Sequence, residues 1–308
     1  MKNIYNEIHP FSKLGIVALV ALISLLVFMI LSFVLVIPLF GKEAFADLIS
    51  MGINMNENQI GLFKFLQLTQ SIGLFIVPSL ILAMLFGGKI GEYLHLNKKP
   101  FLISILLAIV IIFSASPLIN VIGVWNSELS LPHWLSGIEK WMRQSEDSAE
   151  KLTKLFVNTS TIPGLLFNIF LIGIIPAIGE ELLFRGIIQR IFTEWTKNKH
   201  VAIWITAILF SALHMQFYGF IPRALLGAMF GYLLIWSGNL WLPVMAHFVN
   251  NTTAVIAYYL YNKGTIKIDP DQMGTNSAYG LAAIISAVVI IALFWIYYQY
   301  ENRKALEV

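Results

Sequence analysis

Cysteine is absent from this 308-residue chain, and charged residues are scarce. The lack of cysteine excludes disulfides, thiolate metal sites and a cysteine nucleophile, but it does not identify a cellular compartment. Asp, Glu, Lys and Arg make up only 12% of the residues against 58% hydrophobic residues, which excludes a soluble globule. The net charge of +3 is dispersed, with no basic stripe interleaved with aromatic residues, so we expect no nucleic-acid partner.

The sequence contains several long apolar runs. Several of them exceed the roughly 18 residues that a membrane-spanning helix needs, which predicts an all-α, polytopic membrane helix bundle with about eight transmembrane helices. The predicted spans cover residues 14–40, 61–86, 101–124, 163–193, 200–218, 221–237, 240–261 and 277–299. We expect one integral membrane domain over residues 1–308, surrounded by membrane lipid.

The sequence also predicts that the first apolar run is retained and on which side of the membrane the two termini lie. The first apolar run is longer than a signal-peptide core and no clear small-residue cleavage site follows it, so we expect it to be retained. Eight spans place both termini on one side, and the Lys and Arg residues counted there, including Arg185 and Arg190, outnumber those in the short opposite loops. This bias predicts a multi-pass protein of the cell membrane with cytoplasmic termini.

Residues 126–162 form the one long connection, and it has a helical pattern. Trp134, Ile138 and Trp141 recur at helical spacing against charged neighbours such as Glu139 and Arg143. This pattern predicts an amphipathic helix at the membrane interface. We favour a helix that covers the bundle, with a lid or a substrate-docking surface as the alternative.

Two adjacent carboxylates and a guanidinium interrupt the fourth apolar run, at Glu180, Glu181 and Arg185. Each such group costs roughly 2.5–3.5 kcal/mol at a bilayer centre, so the cluster has to face protein or a wet cavity. Helical geometry lets Glu181 pair with Arg185 four residues later, whereas Glu180 projects about 100° away. We therefore expect Glu181 to stay ionised as a structural group and Glu180 to exchange protons.

Two histidines follow in later spans, and each has a partner four residues away on the same helical face. Phe210 precedes His214, and His247 precedes Asn251. Together with Glu180 they supply a base, two imidazoles and an amide near mid-membrane. Hydrolysis of an amide bond needs a base for water, an acid for the leaving amine and donors for the oxyanion, so this set favours a hydrolase.

Other polar or small residues of the sixth span have simpler explanations. Gly227 and Gly231 lie four apart, which indicates close helix packing. Arg223 opens the same span, where it either lies at the membrane interface or reaches into the cavity.

The three motifs of a known family occur here in its order: Glu180-Glu181-xxx-Arg185, Phe210-xxx-His214 and His247-xxx-Asn251. They resemble those of the CPBP intramembrane proteases, which include the Rce1-type CAAX prenyl proteases and bacterial bacteriocin-processing and self-immunity proteins. The resemblance covers about residues 164–262, which we expect to form the catalytic core. It implies that Glu181 and Arg185 support the site.

The resemblance also implies roles for the remaining motif residues. Glu180 and His214 activate water, and His247 and Asn251 hold the oxyanion. Glu180, His214 and His247 could alternatively form a two-histidine, one-carboxylate zinc site. Because asparagine is a poor zinc ligand and a good oxyanion donor, and the HExxH motif is absent, we favour a metal-free glutamate-type hydrolase that requires no cofactor.

The leading hypothesis is an intramembrane endopeptidase that cleaves a membrane-associated peptide or protein, with a lipidated, CAAX-type substrate as one form. Two alternatives come from other classes. A non-enzymatic membrane scaffold or immunity protein would use the same pocket to bind a partner. A proton-coupled transporter would use the intramembrane carboxylates and imidazoles to carry protons.

Overall fold

The computed structural model describes residues 8–50, 57–270 and 278–307, and all regular secondary structure in these ranges is helical. The first helices are α1 (Pro10–Ser50), α2 (Glu57–Ser71), α3 (Val77–Gly87), α4 (Ile90–Tyr93), α5 (Leu102–Ser127) and α6 (Ser136–Val157). The later helices are α7 (Ile162–Asn168), α8 (Ile175–Glu181), α9 (Gln189–Thr196), α10 (Lys199–Ala212), α11 (Phe220–Ser237), α12 (Trp241–Asn262) and α13 (Ala278–Glu307). The prediction of an all-α polytopic bundle is confirmed.

Three π-helical segments join some of these helices into longer rods: Ile72–Ile76, Ile169–Ile174 and Leu182–Ile188. The first two end two residues before Pro78 and Pro176. A proline ring clashes with the carbonyl four residues earlier and offers no N–H, and a wider turn relieves that clash. The predicted fourth span is therefore one continuous rod with altered turns, from Ile162 to Thr196.

Within the described ranges, six helical segments are long and apolar enough to cross a membrane. They are Pro10–Ala44, Gln59–Gly87, Leu102–Ser127, Ile162–Thr196, Phe217–Ser237 and Tyr279–Lys304. They correspond to six of the eight predicted spans, although the predicted start of the last span, residue 277, lies outside the described residues. The protein is therefore a multi-pass membrane protein.

The count of eight is not confirmed, because two predicted spans fall short. α10 has 14 residues, or about 21 Å, which is less than the roughly 30 Å hydrocarbon core. α12 is long enough at 22 residues, but His247, Asn250 and Asn251 lower its hydropathy. In α12, the polarity that the site requires therefore weakens the hydropathy signal.

The π-helical segment that follows the two glutamates and carries Arg185 lies at the centre of the bundle. All seven residues of Leu182–Ile188 are buried, and they pack against α3, α4, α10 and the start of α12. The outer helices α1 and α13 instead expose large apolar side chains, such as Val34 at 66% and Ile291 at 71%. This inverted pattern suits a protein whose outer surface contacts lipid.

The helix expected at the interface is α6. Its apolar side leaves Ile138 and Trp141 about half exposed, and Trp134 just before it is 80% exposed. Near its start, Arg143 donates two hydrogen bonds to Glu139, and these bonds hold the pKa of that carboxyl below its ordinary value. The single domain over residues 1–308, with residues 164–262 as its catalytic core and residues 126–162 as an interfacial connection, stays a prediction.

α6 also packs on the loop between α10 and α11. The Glu146 carboxylate accepts a hydrogen bond from the Tyr218 backbone N–H at 3.1 Å, and the Arg143 guanidinium lies 4.4 Å from the Tyr218 ring centre. Trp141 packs against Phe217, with ring centres 5.3 Å apart. α6 therefore supports the loop that follows His214.

The glycine pair of α11 makes close helix contacts, as its spacing indicated. A Cβ atom on Gly231 would lie 2.7 Å from Gln189 Oε1 and 2.9 Å from a methyl carbon of Ile203. One on Gly227 would lie 3.3 Å from the Cα atom of Ala207. Glycine therefore lets α11 approach both α9 and α10.

We expect Gly231→Ala to lower the free energy of unfolding by about 1–3 kcal/mol, because the added methyl overpacks this contact. Denaturant titration in detergent measures the change. Gly15→Ala is the matched control, since a Cβ atom there has no neighbour within 4 Å among the described residues. Equal stability of the two variants would contradict the packing role of Gly231.

Candidate active site

A buried ion pair forms the base of the site. Arg185 Nη1 donates to Glu181 Oε1 at 3.0 Å, and both side chains are fully buried. Arg185 Nη2 also donates to the Gly227 carbonyl at 2.9 Å, which fixes the guanidinium against α11. The pairing expected from the four-residue spacing therefore forms, even though the rod is π-helical from Leu182 onward. The prediction of cytoplasmic termini counted Arg185 among the loop charges. Arg185 is only 1% exposed, so it lies inside the bundle and is not a loop charge.

Glu180 points to a different side of the rod and faces two imidazole rings. Its Oε2 lies 3.8 Å from His247 Nε2 and 4.0 Å from His214 Nε2. Its side chain is 12% exposed, whereas that of Glu181 is fully buried. The structure thus brings together the three residues that the sequence placed on three separate helical segments.

His214 differs from its prediction in one respect. It was expected on the fifth helix, but α10 ends at Ala212 and His214 lies in the turn that follows. Its Nδ1 lies 2.7 Å from the Phe210 carbonyl, so the four-residue contact survives outside the helix. Because a carbonyl only accepts, Nδ1 carries the proton and the neutral ring presents a lone pair on Nε2 toward Glu180.

His247 is tied to the buried ion pair. Its Nδ1 lies 2.9 Å from Glu181 Oε1, the same oxygen that accepts from Arg185. Its ring stacks on Phe230, with centres 5.0 Å apart. Since the carboxylate oxygen accepts, Nδ1 donates, and Nε2 carries a proton only when the ring is an imidazolium.

Phe210 packs between the charged and imidazole groups. Its ring centre lies 4.5 Å from the Arg185 guanidinium carbon and 4.8 Å from the His214 ring centre. It also packs edge-on against His247 and Phe184. This one ring therefore sets the spacing between the ion pair and both histidines.

The amide predicted as an oxyanion donor lines the same cavity. Asn251 Nδ2 donates to the Ile172 carbonyl at 3.1 Å, and its Oδ1 accepts from Asn250 at 3.1 Å. These bonds leave the second N–H of Nδ2 for another acceptor. The neighbouring Asn250 fixes the amide orientation and also lines the cavity. Its polarity in an apolar helix was the only signal of this position in the sequence.

The cavity has a volume of about 290 Å³ and collects these groups. Its lining includes Glu180, His214, Arg223, His247 and Asn251. For Arg223 the sequence left two positions open, and the structure places it in the cavity wall. The cavity lining therefore includes a cation.

Zinc ligation by Glu180, His214 and His247 was the alternative use of this set. Zinc bonds of about 2.0–2.1 Å place tetrahedral ligand atoms about 3.3–3.4 Å apart, shorter than the 3.8 and 4.0 Å between Glu180 Oε2 and the two Nε2 atoms. In the part of the chain that the structure describes, no three His, Cys, Asp or Glu side chains are arranged to hold a metal ion. In the structure, Glu180, His214 and His247 are therefore not arranged as a tetrahedral zinc ligand set.

Comparison with known proteins finds similarity in the segment that carries the site. Residues 162–253 match the model of the Rce1-like family, described as type II CAAX prenyl endopeptidase Rce1-like. This segment includes every predicted site residue. No solved structure matches the chain significantly.

Two curated relatives are similar over a comparable length. One is the uncharacterized protein YpbD of Bacillus subtilis (strain 168), 28% identical over 116 residues, which are 36% of this chain and 54% of YpbD. The other is an uncharacterized 24.3 kDa protein of Escherichia coli, 34% identical over 111 residues, which are 34% of this chain and 50% of that protein. The chain thus spans about half the length of the curated relatives it matches.

We expect Glu181→Gln to lower the free energy of unfolding by about 3–5 kcal/mol, because Arg185 cannot lose its charge and stays buried without its partner. The double variant Glu181→Gln with Arg185→Met should recover part of that loss. Chemical denaturation of the purified protein in detergent measures all three forms.

Glu150 and Lys154 supply the matched control, since they have the same four-residue spacing and are 2.6 Å apart on the exposed side of α6. Glu150→Gln should change the stability by less than about 1 kcal/mol. A double variant less stable than Glu181→Gln alone would show that charge burial is not the cause of the loss.

Proposed function

We propose that the protein is an intramembrane endopeptidase that uses side chains to activate water, because residues 162–253 match the model of the Rce1-like family of type II CAAX prenyl endopeptidases. The family is a protease family whose members act on protein substrates in a membrane. The observation that carries the proposal is the approach of Glu180 Oε2 to within 3.8 and 4.0 Å of two imidazole nitrogens in one cavity.

Glu180 and His214 are the proposed water-activating pair. A water oxygen about 2.8 Å from each of two atoms 4.0 Å apart is held at an angle of about 90° and can bond to both. The Phe210 carbonyl keeps the His214 proton on Nδ1, so Nε2 is an acceptor facing this water. The carboxylate of Glu180 takes a proton as the water oxygen attacks the peptide carbonyl carbon.

His247 and Asn251 are the proposed oxyanion donors. Attack forms a tetrahedral intermediate whose carbonyl oxygen becomes negative, and fixed donors in a shielded cavity stabilise that charge strongly. Asn251 Nδ2 uses one N–H for the Ile172 carbonyl, and its second N–H can donate to the oxyanion. The Glu181 carboxylate orients the His247 ring, which can donate from Nε2 when that nitrogen carries a proton.

Collapse of the intermediate completes the reaction. The carbon–nitrogen bond breaks, the proton held by Glu180 moves to the leaving amine, and the attacking oxygen stays in the new carboxyl group. Glu180 therefore serves as base and then as acid. Glu181 and Arg185 take no part in proton transfer and keep His247 oriented.

The proposed substrate is a peptide or protein segment held at or within the membrane. The family description names CAAX prenyl endopeptidases, which supports a lipidated substrate as the form to test first. The exposed Trp134 and Trp141 beside the loop of residues 213–219 support entry of the substrate from the membrane interface.

We expect Glu180→Gln and His214→Ala each to lower peptide cleavage by about 10²- to 10⁴-fold, the usual contribution of one acid–base group. The assay uses purified protein in lipid nanodiscs and a peptide library with and without prenylated cysteine, analysed by mass spectrometry. A zinc chelator should leave wild-type cleavage unchanged, because the proposed reaction uses side chains and no metal.

Glu128→Gln and His133→Ala are the matched controls, since both residues are exposed on the connection outside the cavity. Both variants should cleave at the wild-type rate. Cleavage retained in Glu180→Gln would refute the role of this carboxylate, and loss of wild-type cleavage with the chelator would show a metal mechanism. A cellular phenotype that survives Glu180→Gln would favour the scaffold or immunity role.

A further inference from the structure

Arg223 is a cation in the cavity wall that the proposed reaction does not use. It lies in the first turn of α11 and lines the cavity together with Glu180, His214 and His247. Its side chain is partly buried in a predominantly apolar protein. A charge in such a place needs a compensating partner, because removal from water costs several kcal/mol.

The partners that Arg223 has in the described residues are neutral. Nη1 donates to the Gln216 backbone carbonyl at 3.3 Å, and Nη2 donates to Gln216 Oε1 at 2.7 Å. No carboxylate in the described ranges lies within 4.0 Å of the guanidinium, unlike Arg185, which has Glu181 at 3.0 Å. Of five N–H donors, three remain beyond the Gln216 contacts.

The surroundings hold the guanidinium in one place. Gln216 bonds to it at two points, and a Cβ atom on Gly219 would lie only 3.1 Å from Nη2. Gly219 has a φ of −108°, which any residue adopts, so the backbone conformation does not require glycine there. Its lack of a side chain instead leaves room for the Arg223 guanidinium. The loop therefore presents a fixed guanidinium to the cavity.

The carboxylates near Arg223 contact other groups. Glu146 accepts from the Tyr218 backbone N–H, and Glu180 faces the two imidazoles. Both act on Arg223 only through longer-range electrostatics. The guanidinium is thus available to an anion that enters the cavity.

We propose that Arg223 is a specificity-determining residue that binds a carboxylate of the substrate, a role that rests on the proposed endopeptidase function. A planar guanidinium with free donors matches a carboxylate in shape and charge, and such charge-assisted bonds are about twice as strong as neutral ones. The carboxylate comes either from the free end of the substrate chain or from an Asp or Glu side chain near the scissile bond.

The test uses a peptide that the wild-type protein cleaves, prepared in matched forms. In one form the terminal carboxylate is amidated, and in another each Asp or Glu is replaced by Asn or Gln. For the form that lacks the bound carboxylate, wild-type KM should rise roughly 10- to 100-fold, with kcat little changed. The form that shows this rise identifies the source of the carboxylate.

Arg223→Gln should abolish the difference, so that charged and neutral forms have KM values within about twofold of each other. Arg223→Lys keeps the charge without the planar fork and should restore part of it. Gly219→Ala keeps the arginine but displaces Nη2, and it should weaken binding of the charged form. Arg303→Gln, which removes an exposed positive charge elsewhere, is the charge-matched control.

A second readout does not need turnover. Fluorescence anisotropy with Glu180→Gln should show tighter binding of the charged peptide, and this preference should vanish in Glu180→Gln with Arg223→Gln. Equal KM values for all wild-type substrates, or an equal fall in kcat for charged and neutral forms in Arg223→Gln, would overturn the proposal. Absence of any wild-type cleavage would instead refute the endopeptidase function, with the anisotropy preference still deciding the role of Arg223.

Discussion

The buried Glu181–Arg185 pair is the constraint on which the rest of the site depends. Two full charges lie at the centre of an apolar bundle, and the pair is stable because the guanidinium also donates to the Gly227 carbonyl. The same carboxylate oxygen receives His247, so charge neutralisation and orientation of the imidazole occur at one atom. The glycines of α11 are part of this arrangement, since they let its backbone reach Arg185 and Gln189.

Around this pair the bundle separates two kinds of carboxylate. Glu181 is fully enclosed and saturated with cationic or N–H partners on one oxygen, whereas its neighbour Glu180 opens into a cavity with two imidazoles. Adjacent positions on a helical rod diverge by about 100°, so one short segment can supply a structural acid and the acid that we propose for the chemistry.

The proposed chemistry and the proposed binding role of Arg223 assign different tasks to the residues that line the cavity. Glu180, the imidazoles and the amide of Asn251 would make and break bonds. The Arg223 guanidinium, held by Gln216, would fix the substrate without entering the reaction. A membrane-buried hydrolase benefits from such a division, since a charged substrate group then has a compensating partner inside an apolar protein.

The sequence by itself determined the class of the molecule: apolar length and scarce charge predict a helical membrane protein, and the Glu181–Arg185 pairing follows from residue spacing. The count of eight spans is not confirmed, because α10 is short and the polar residues of α12 reduce its apolar signal. Only the tertiary structure decided that His214 follows its helix and that Arg223 lines the cavity. Those features depend on contacts between helices distant in the chain, and spacing along one helix contains no information about them.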